Sequence, residues 1–221
     1  MDIERARYNM IEQQIRTWEV LDQGVLDTLY VVRREEFVPA AFRGQAFTDM
    51  EIPLNSARRA SQHMLQPKVE ARILQEVAPK KSERVLEIGT GTGYMAALLA
   101  AKCASVVSVE LDPALLEIAQ ANLARAGIAN VKLEPGDAAL GWTKQAPYDV
   151  IVVSGSLPIM PPELREQLKP GGRLFAIVGD APVMAARLVT RTAASTFESI
   201  DLFETCVASL EHARQPARFT F

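Results

Sequence analysis

The chain has 221 residues, 48% of them hydrophobic, and a formal net charge of −3, which is enough for one large α/β domain and a sizeable core. It has no basic block for a nucleic-acid backbone and no apolar run near the roughly 18 residues of a membrane span. The opening Met1-Asp2-Ile3-Glu4-Arg5-Ala6-Arg7 lacks an apolar signal core, so a soluble cytoplasmic protein is expected.

Residues 2–32 read as two helices. Ile3, Met10, Ile11 and Ile15 recur at helical spacing. Asp22 is placed to cap a second helix carrying Val25, Leu26, Leu29 and Val32. Residues 40–65 read as irregular, and so long a non-repetitive stretch in a compact chain points to function. Pro67 suits a helix start, with Val69, Ile73, Leu74 and Val77 as its buried stripe. The expected division is therefore 1–65, helices and a long functional loop, and 66–221, one compact unit.

An alternation follows. Strands are predicted at 84–88, 105–109, 130–134, 148–153 and 172–178, with helices at 93–102, 113–126 and 162–168. Strands alternating with helices imply a parallel sheet. Residues 183–192 and 196–205 are strand-like with no helix between them, which predicts an antiparallel hairpin at a sheet edge.

The chemistry concentrates at Val85-Leu86-Glu87-Ile88-Gly89-Thr90-Gly91-Thr92-Gly93-Tyr94. An apolar strand stops at three glycines and a helix starts, which is where an α/β fold lets a ligand touch its backbone. The spacing is Gly-x-Gly-x-Gly, not the Gly-x-Gly-x-x-Gly of a dinucleotide site. Glu87, two residues before the first glycine, suits a cation better than a pyrophosphate. S-adenosylmethionine fits, since it carries a sulfonium and an ammonium group and no phosphate. Glu110 closes the next strand, where a carboxylate can accept hydrogen bonds from both ribose hydroxyls.

Other candidates lie beyond later strands. Asp137 can accept from an adenine amino group, with Ala138 giving a backbone contact, and Ser154-Gly155-Ser156 leaves room for the methyl group and its acceptor. Trp142 and Tyr148 can shield an adenine, although aromatics in this setting are more often core. Cys103 and Cys206 fit no metal-ligand spacing. His63 and His212 are the only histidines, and there is no Gly-x-Ser-x-Gly elbow, so a hydrolase or metalloenzyme is poorly supported.

Taken together, these motifs resemble the protein-L-isoaspartate O-methyltransferases over most of the chain. Met10-Ile11-Glu12-Gln13-Gln14-Ile15-Arg16 and Val32-Arg33-Arg34-Glu35-Glu36-Phe37-Val38-Pro39 are similar to that family's opening helices. Val85 to Tyr94 resembles its cofactor motif. Gly136-Asp137, Gly141-Trp142, Ala146-Pro147-Tyr148-Asp149 and Gln167-Leu168-Lys169-Pro170-Gly171-Gly172 continue in the family's order. The resemblance implies a Rossmann-like class I fold, with a seven-stranded mostly parallel sheet, an antiparallel C-terminal hairpin and N-terminal helices. It implies S-adenosyl-L-methionine as cofactor and methyl transfer to a carboxylate. The partner would be a protein or peptide with isoaspartyl residues, or a small carboxylate. Candidate cofactor residues are Glu87, Gly89, Thr90, Gly91, Gly93, Glu110, Leu111, Asp137, Ala138 and Ser154.

The acceptor half departs from the family pattern, Gly-x-Gly-Gln-Thr-Ile-Ser-Gln-Pro. Asp49 and Pro53-Leu54 are present, but aligning on Gln66-Pro67 puts Leu65 at the Ser and His63 at the Thr. Leu65 and His63, with Ser154 where the family has Thr-Ala-Ala, are the candidate catalytic positions. Arg58, Arg59 and Ser61 are further candidates for an anionic acceptor. Two other readings stay open: an O-methyltransferase for a different small acceptor, and a cofactor-binding protein without turnover.

Overall fold

Asp2 accepts from the Arg5 amide and starts α1 (Ile3–Asn9). The chain then widens into π-type turns over Met10–Ile15 and tightens to a 3₁₀ turn at Arg16–Trp18. Glu19, at φ 62°, ends the run. The first predicted helix is thus one continuous winding of three pitches. Asp22 caps α2 (Gln23–Val31), accepting from the Val25 amide at 2.8 Å. The computed structural model describes residues 2–54 and 62–217. Arg58, Arg59 and Ser61 lie outside the described residues.

Two short strands interrupt the stretch expected to be irregular. β1 (Ile52–Pro53) pairs antiparallel with β2 (His63–Met64), Ile52 opposite Met64. Then come α3 (Pro67–Val77), β3 (Arg84–Ile88), α4 (Tyr94–Ala100), β4 (Ser105–Glu110), α5 (Pro113–Arg125) and β5 (Val131–Pro135). They are followed by β6 (Tyr148–Leu157), α6 (Pro162–Glu166), β7 (Leu168–Asp180), β8 (Val183–Arg191) and β9 (Phe197–Glu204). The main sheet has the order β5-β4-β3-β6-β7-β8-β9. β5 through β7 run parallel, and β8 and β9 are antiparallel, as expected for the C-terminal hairpin.

The order reverses between β3 and β6. Such a switch point opens a crevice at the strand carboxyl ends. Alternation along the strands builds a core on each face. Val85, Val106, Val150 and Val152 face a cluster that includes Met10, Ile11 and Leu26 of the N-terminal segment. Leu86, Val107, Ile151 and Val153 face the other, with Trp142 and Tyr148. Both aromatics are therefore core, and the Tyr148 hydroxyl donates to the Trp142 carbonyl at 2.8 Å.

One stretch expected to lie beyond its strand belongs to it. Ser154-Gly155-Ser156 lies within β6, which slips against β7 between Val152 (opposite Phe175) and Ser156 (opposite Ile177). Three residues face one there, so Ser154 and Gly155 bulge toward the crevice. Gly171-Gly172 forms a similar irregularity in β7: Tyr148 pairs with Leu168 and Val150 with Arg173. The helix expected to reach 168 stops at Glu166 because β7 begins at Leu168.

Candidate active site

The turn after β3 carries Gly89, Gly91 and Gly93 at φ 90°, 56° and 88°, a region that L side chains resist. A Cβ on Gly91 would also stand 3.0 Å from Leu54. The amide of Gly91 donates to Glu110 Oε2 at 2.8 Å and that of Asp112 to Oε1 at 2.9 Å. The glycine turn and the end of β4 are thus fastened through one carboxylate, whose remaining lone pairs are left for a ligand.

Glu87 is fully buried. The register of β3 on β4 sets it opposite Ser108, whose hydroxyl donates to Glu87 Oε2. Thr90 Oγ1 lies 2.6 Å from Ser108 Oγ, and Ser154 Oγ donates to Glu87 Oε1 at 3.1 Å. Burial pushes the Glu87 carboxyl up to about 8, against the pull of the two serines, and the Glu110 charge adds to the rise. Burial also raises Glu110, opposed by backbone amides including those of Asp112 and Gly91.

One crevice brings most of the expected residues together. Glu87, Gly89, Thr90 and Gly91 line it from β3 and the turn, Glu110 and Leu111 from the end of β4, and Asp137 and Ala138 from beyond β5. Ser154, His63 and Leu65 complete its wall. Gly93 lies outside the lining. It precedes α4 as its cap, and a Cβ there would meet Ala119 and Leu123 at 3.4 Å. Asp137 accepts from the Ala139 amide at 3.0 Å through Oδ1 and bonds His212 Nδ1 at 2.7 Å through Oδ2.

Several wall residues were not anticipated. Ser108, which is not in the lining but bonds Glu87 from behind it, stands out in the sequence as the one polar residue in Val106-Val107-Ser108-Val109. Glu51 lines the crevice beside His63, and burial raises its carboxyl. Glu70 pairs with buried Arg34, which also donates to the carbonyls of Leu65 at 2.7 Å and Ala46 at 3.1 Å. Burial lowers Arg34 to about 10. After β9 the chain returns across the crevice: Ser156 donates to the Ala208 carbonyl and Leu210 donates back to Ser156. Val207 to Glu211 form that wall. The sequence leaves Glu204 to Phe221 open between packing near the acceptor mouth and contacting a partner, and no periodicity decides between the two.

Among its described residues the lining has no Lys or Arg, but it holds the carboxyl groups of Glu51, Glu70, Glu87, Glu110, Asp137 and Glu211. Such a wall suits a ligand with positive charge and no phosphate. Among the described residues no cluster of His, Cys, Asp and Glu could hold a metal, and no helix is long and apolar enough to cross a membrane.

The family model of protein-L-isoaspartate(D-aspartate) O-methyltransferase matches residues 5–208. The chain belongs to that family. The O-methyltransferase assignment extends to the relatives: the protein-L-isoaspartate O-methyltransferase of Methylorubrum populi is 39% identical over 196 residues, covering 89% of this chain and 90% of that protein. The enzyme of that name from Methanospirillum hungatei is 38% identical over 185 residues, covering 84% of each. A solved protein-L-isoaspartate O-methyltransferase superposes with a TM-score of 0.77 at 29% identity. The match covers 92% of this chain but 65% of that longer one. A Plasmodium falciparum chain assigned to the same activity, solved with S-adenosyl-L-homocysteine, shares the fold at TM-score 0.76 and 19% identity, covering 92% and 97%. The methyltransferase fold expected from the sequence is therefore the one observed.

Proposed function

We propose that this methyltransferase takes the methyl group of S-adenosylmethionine and esterifies a carboxylate exposed by isoaspartyl damage in a protein or peptide. The observation that carries the reading is the acidic lining around the glycine turn, free of Lys and Arg among the described residues, together with family membership. Glu110 would hold the ribose hydroxyls and Asp137 the adenine amino group. Gly89 and Gly91 allow close approach of the backbone, and Glu87 sits beneath the turn as the counter-charge to the cationic end. When bound, the cofactor supplies an electrophilic methyl carbon on a sulfonium.

The bound cofactor would supply the methyl cation equivalent and keep the sulfur as a neutral thioether, and the acceptor carboxylate would supply the electron pair, so no proton transfer is asked of the chain. A carboxylate is already ionised near neutral pH, so a general base is not required. The residues therefore position and exclude water. The crevice wall of Leu54, Met64, Leu65 and Val207 is apolar. His63 is the polar group of β2 at this end, and among the described residues its buried Nδ1 has no hydrogen-bond partner. We assign it to the acceptor.

Leu65 favours a second reading. A leucine cannot donate to a carboxylate, and a small acceptor with an apolar body would fit that wall. The test is transfer of labelled methyl to an isoaspartyl peptide, with its aspartyl twin as control and calorimetric cofactor binding alongside. Selective labelling supports the first reading. Cofactor binding without labelling would turn the assignment to a different acceptor, or to a cofactor-binding protein without turnover.

A further inference from the structure

We infer that His212, which lies outside the crevice lining, is a positioning residue that latches the returning C-terminal segment to the cofactor side of the crevice through Asp137. The inference rests on the S-adenosylmethionine reading above, because Asp137 is the residue assigned to the adenine.

The segment after β9 is tied to both sides of the switch point, and just beyond it Arg214 bonds Glu163 at 2.6 Å. On the β6 side it bridges Ser156. The Ser156 amide donates to the Ala208 carbonyl at 3.0 Å, the Leu210 amide to the Ser156 carbonyl at 2.9 Å, and Ser156 Oγ to the Val207 carbonyl at 3.0 Å. Between the two ties, Leu210 presses on the turn. Its Cδ2 would stand 3.4 Å from a Cβ on Gly89 and 2.8 Å from one on Gly155. On the β5 side the chain turns at His212 and its Nδ1 meets Asp137 Oδ2 at 2.7 Å.

The backbone is bent to make this contact. His212 has φ 59°, the left-handed region that His and Asn enter more readily than most side chains. Asp137 is held from both sides, by the Ala139 amide on Oδ1 and by the imidazole on Oδ2. A carboxylate has about four acceptor sites, so a further donor can still be accepted. The imidazole thus fixes the Asp137 carboxylate and the Val207–Leu210 wall together, without lining the crevice itself. Cofactor affinity and the order of that wall should change as one.

The test uses the full chain with S-adenosylhomocysteine as probe. His212→Gly removes the ring and leaves the left-handed backbone relaxed. His212→Asn keeps a side-chain donor that tolerates the same backbone. The pair is solvent-exposed on both sides, so the expected loss in the glycine variant is about two- to fivefold in affinity. Dissociation should be faster, and the Leu210 amide should exchange its hydrogen faster than in the wild type. The asparagine variant should restore both readouts, which a loss of fold would not allow. Unchanged affinity or unchanged Leu210 exchange in the glycine variant overturns the latch, as does failure of asparagine to restore them. A wild-type chain that binds no S-adenosylhomocysteine removes the functional reading instead, and Leu210 exchange in the two variants still decides the latch.

Discussion

Glu87 should make cofactor affinity depend on pH. Its carboxyl is raised from 4.5 to about 8, burial being the largest cause. It is therefore mainly protonated near neutrality in the ligand-free protein. A ligand bringing positive charge over the glycine turn favours the ionised form, so its binding lowers that value and expels a proton. The sign follows: affinity rises with pH below about 8 and levels above it. The limit is tenfold per pH unit, hence at most about 100-fold between pH 6 and 8, or about 2.7 kcal/mol. Calorimetry at several pH values, in buffers of different ionisation enthalpy, reads both the slope and the released proton. Glu87→Gln cannot ionise and should lose the slope, while titration of the ligand's own amine remains in both proteins. Equal slopes in the wild type and the Gln variant would refute the reasoning.

Glu110→Ala should weaken S-adenosylmethionine binding by about 1–3 kcal/mol, the scale of hydrogen bonds to a charged group, and unchanged calorimetric affinity would remove Glu110 from the site. Leu65→Ser should raise labelled methyl transfer to an isoaspartyl peptide, and no gain would mean that the pocket differs by more than this side chain. Arg34→Met should lower stability by about 3–5 kcal/mol in denaturant unfolding, because it strands buried Glu70. The double replacement Arg34→Met with Glu70→Leu should recover most of that loss. A single change within about 1 kcal/mol of wild type would deny the pair its structural weight.

Much of the fold was legible because its signals are local. Helix caps such as Asp22, the Pro67 start and the β3 glycine turn each depend on residues a few positions apart. The parallel sheet followed from alternation alone. What escaped were features set by register. Ser154 and Gly155 look like loop residues, yet they sit in a strand because β6 slips against β7. The partnership of Glu87 with Ser108 depends on which residues of two parallel strands lie opposite each other. The tie of the Val207–Glu211 wall to Ser156 spans 51 residues at Val207, and that of His212 to Asp137 spans 75, with no repeating pattern to announce either. Arg34 lies in a motif noted for its family likeness, but its contacts with Leu65 and Glu70 are purely tertiary.

The contact between Arg34 and Leu65 is made to a main-chain carbonyl, which every amino acid possesses. Anchorage at this place is therefore indifferent to side-chain identity. A segment exchanged with a relative could bring a hydroxyl, an amide or a bare methyl to position 65, and the guanidinium would still find its oxygen. The wall could thus diversify in what it recognises without loosening where it stands. Chimeras that retain Arg34 and Glu70 are accordingly the natural starting point for redirecting the acceptor range of this scaffold.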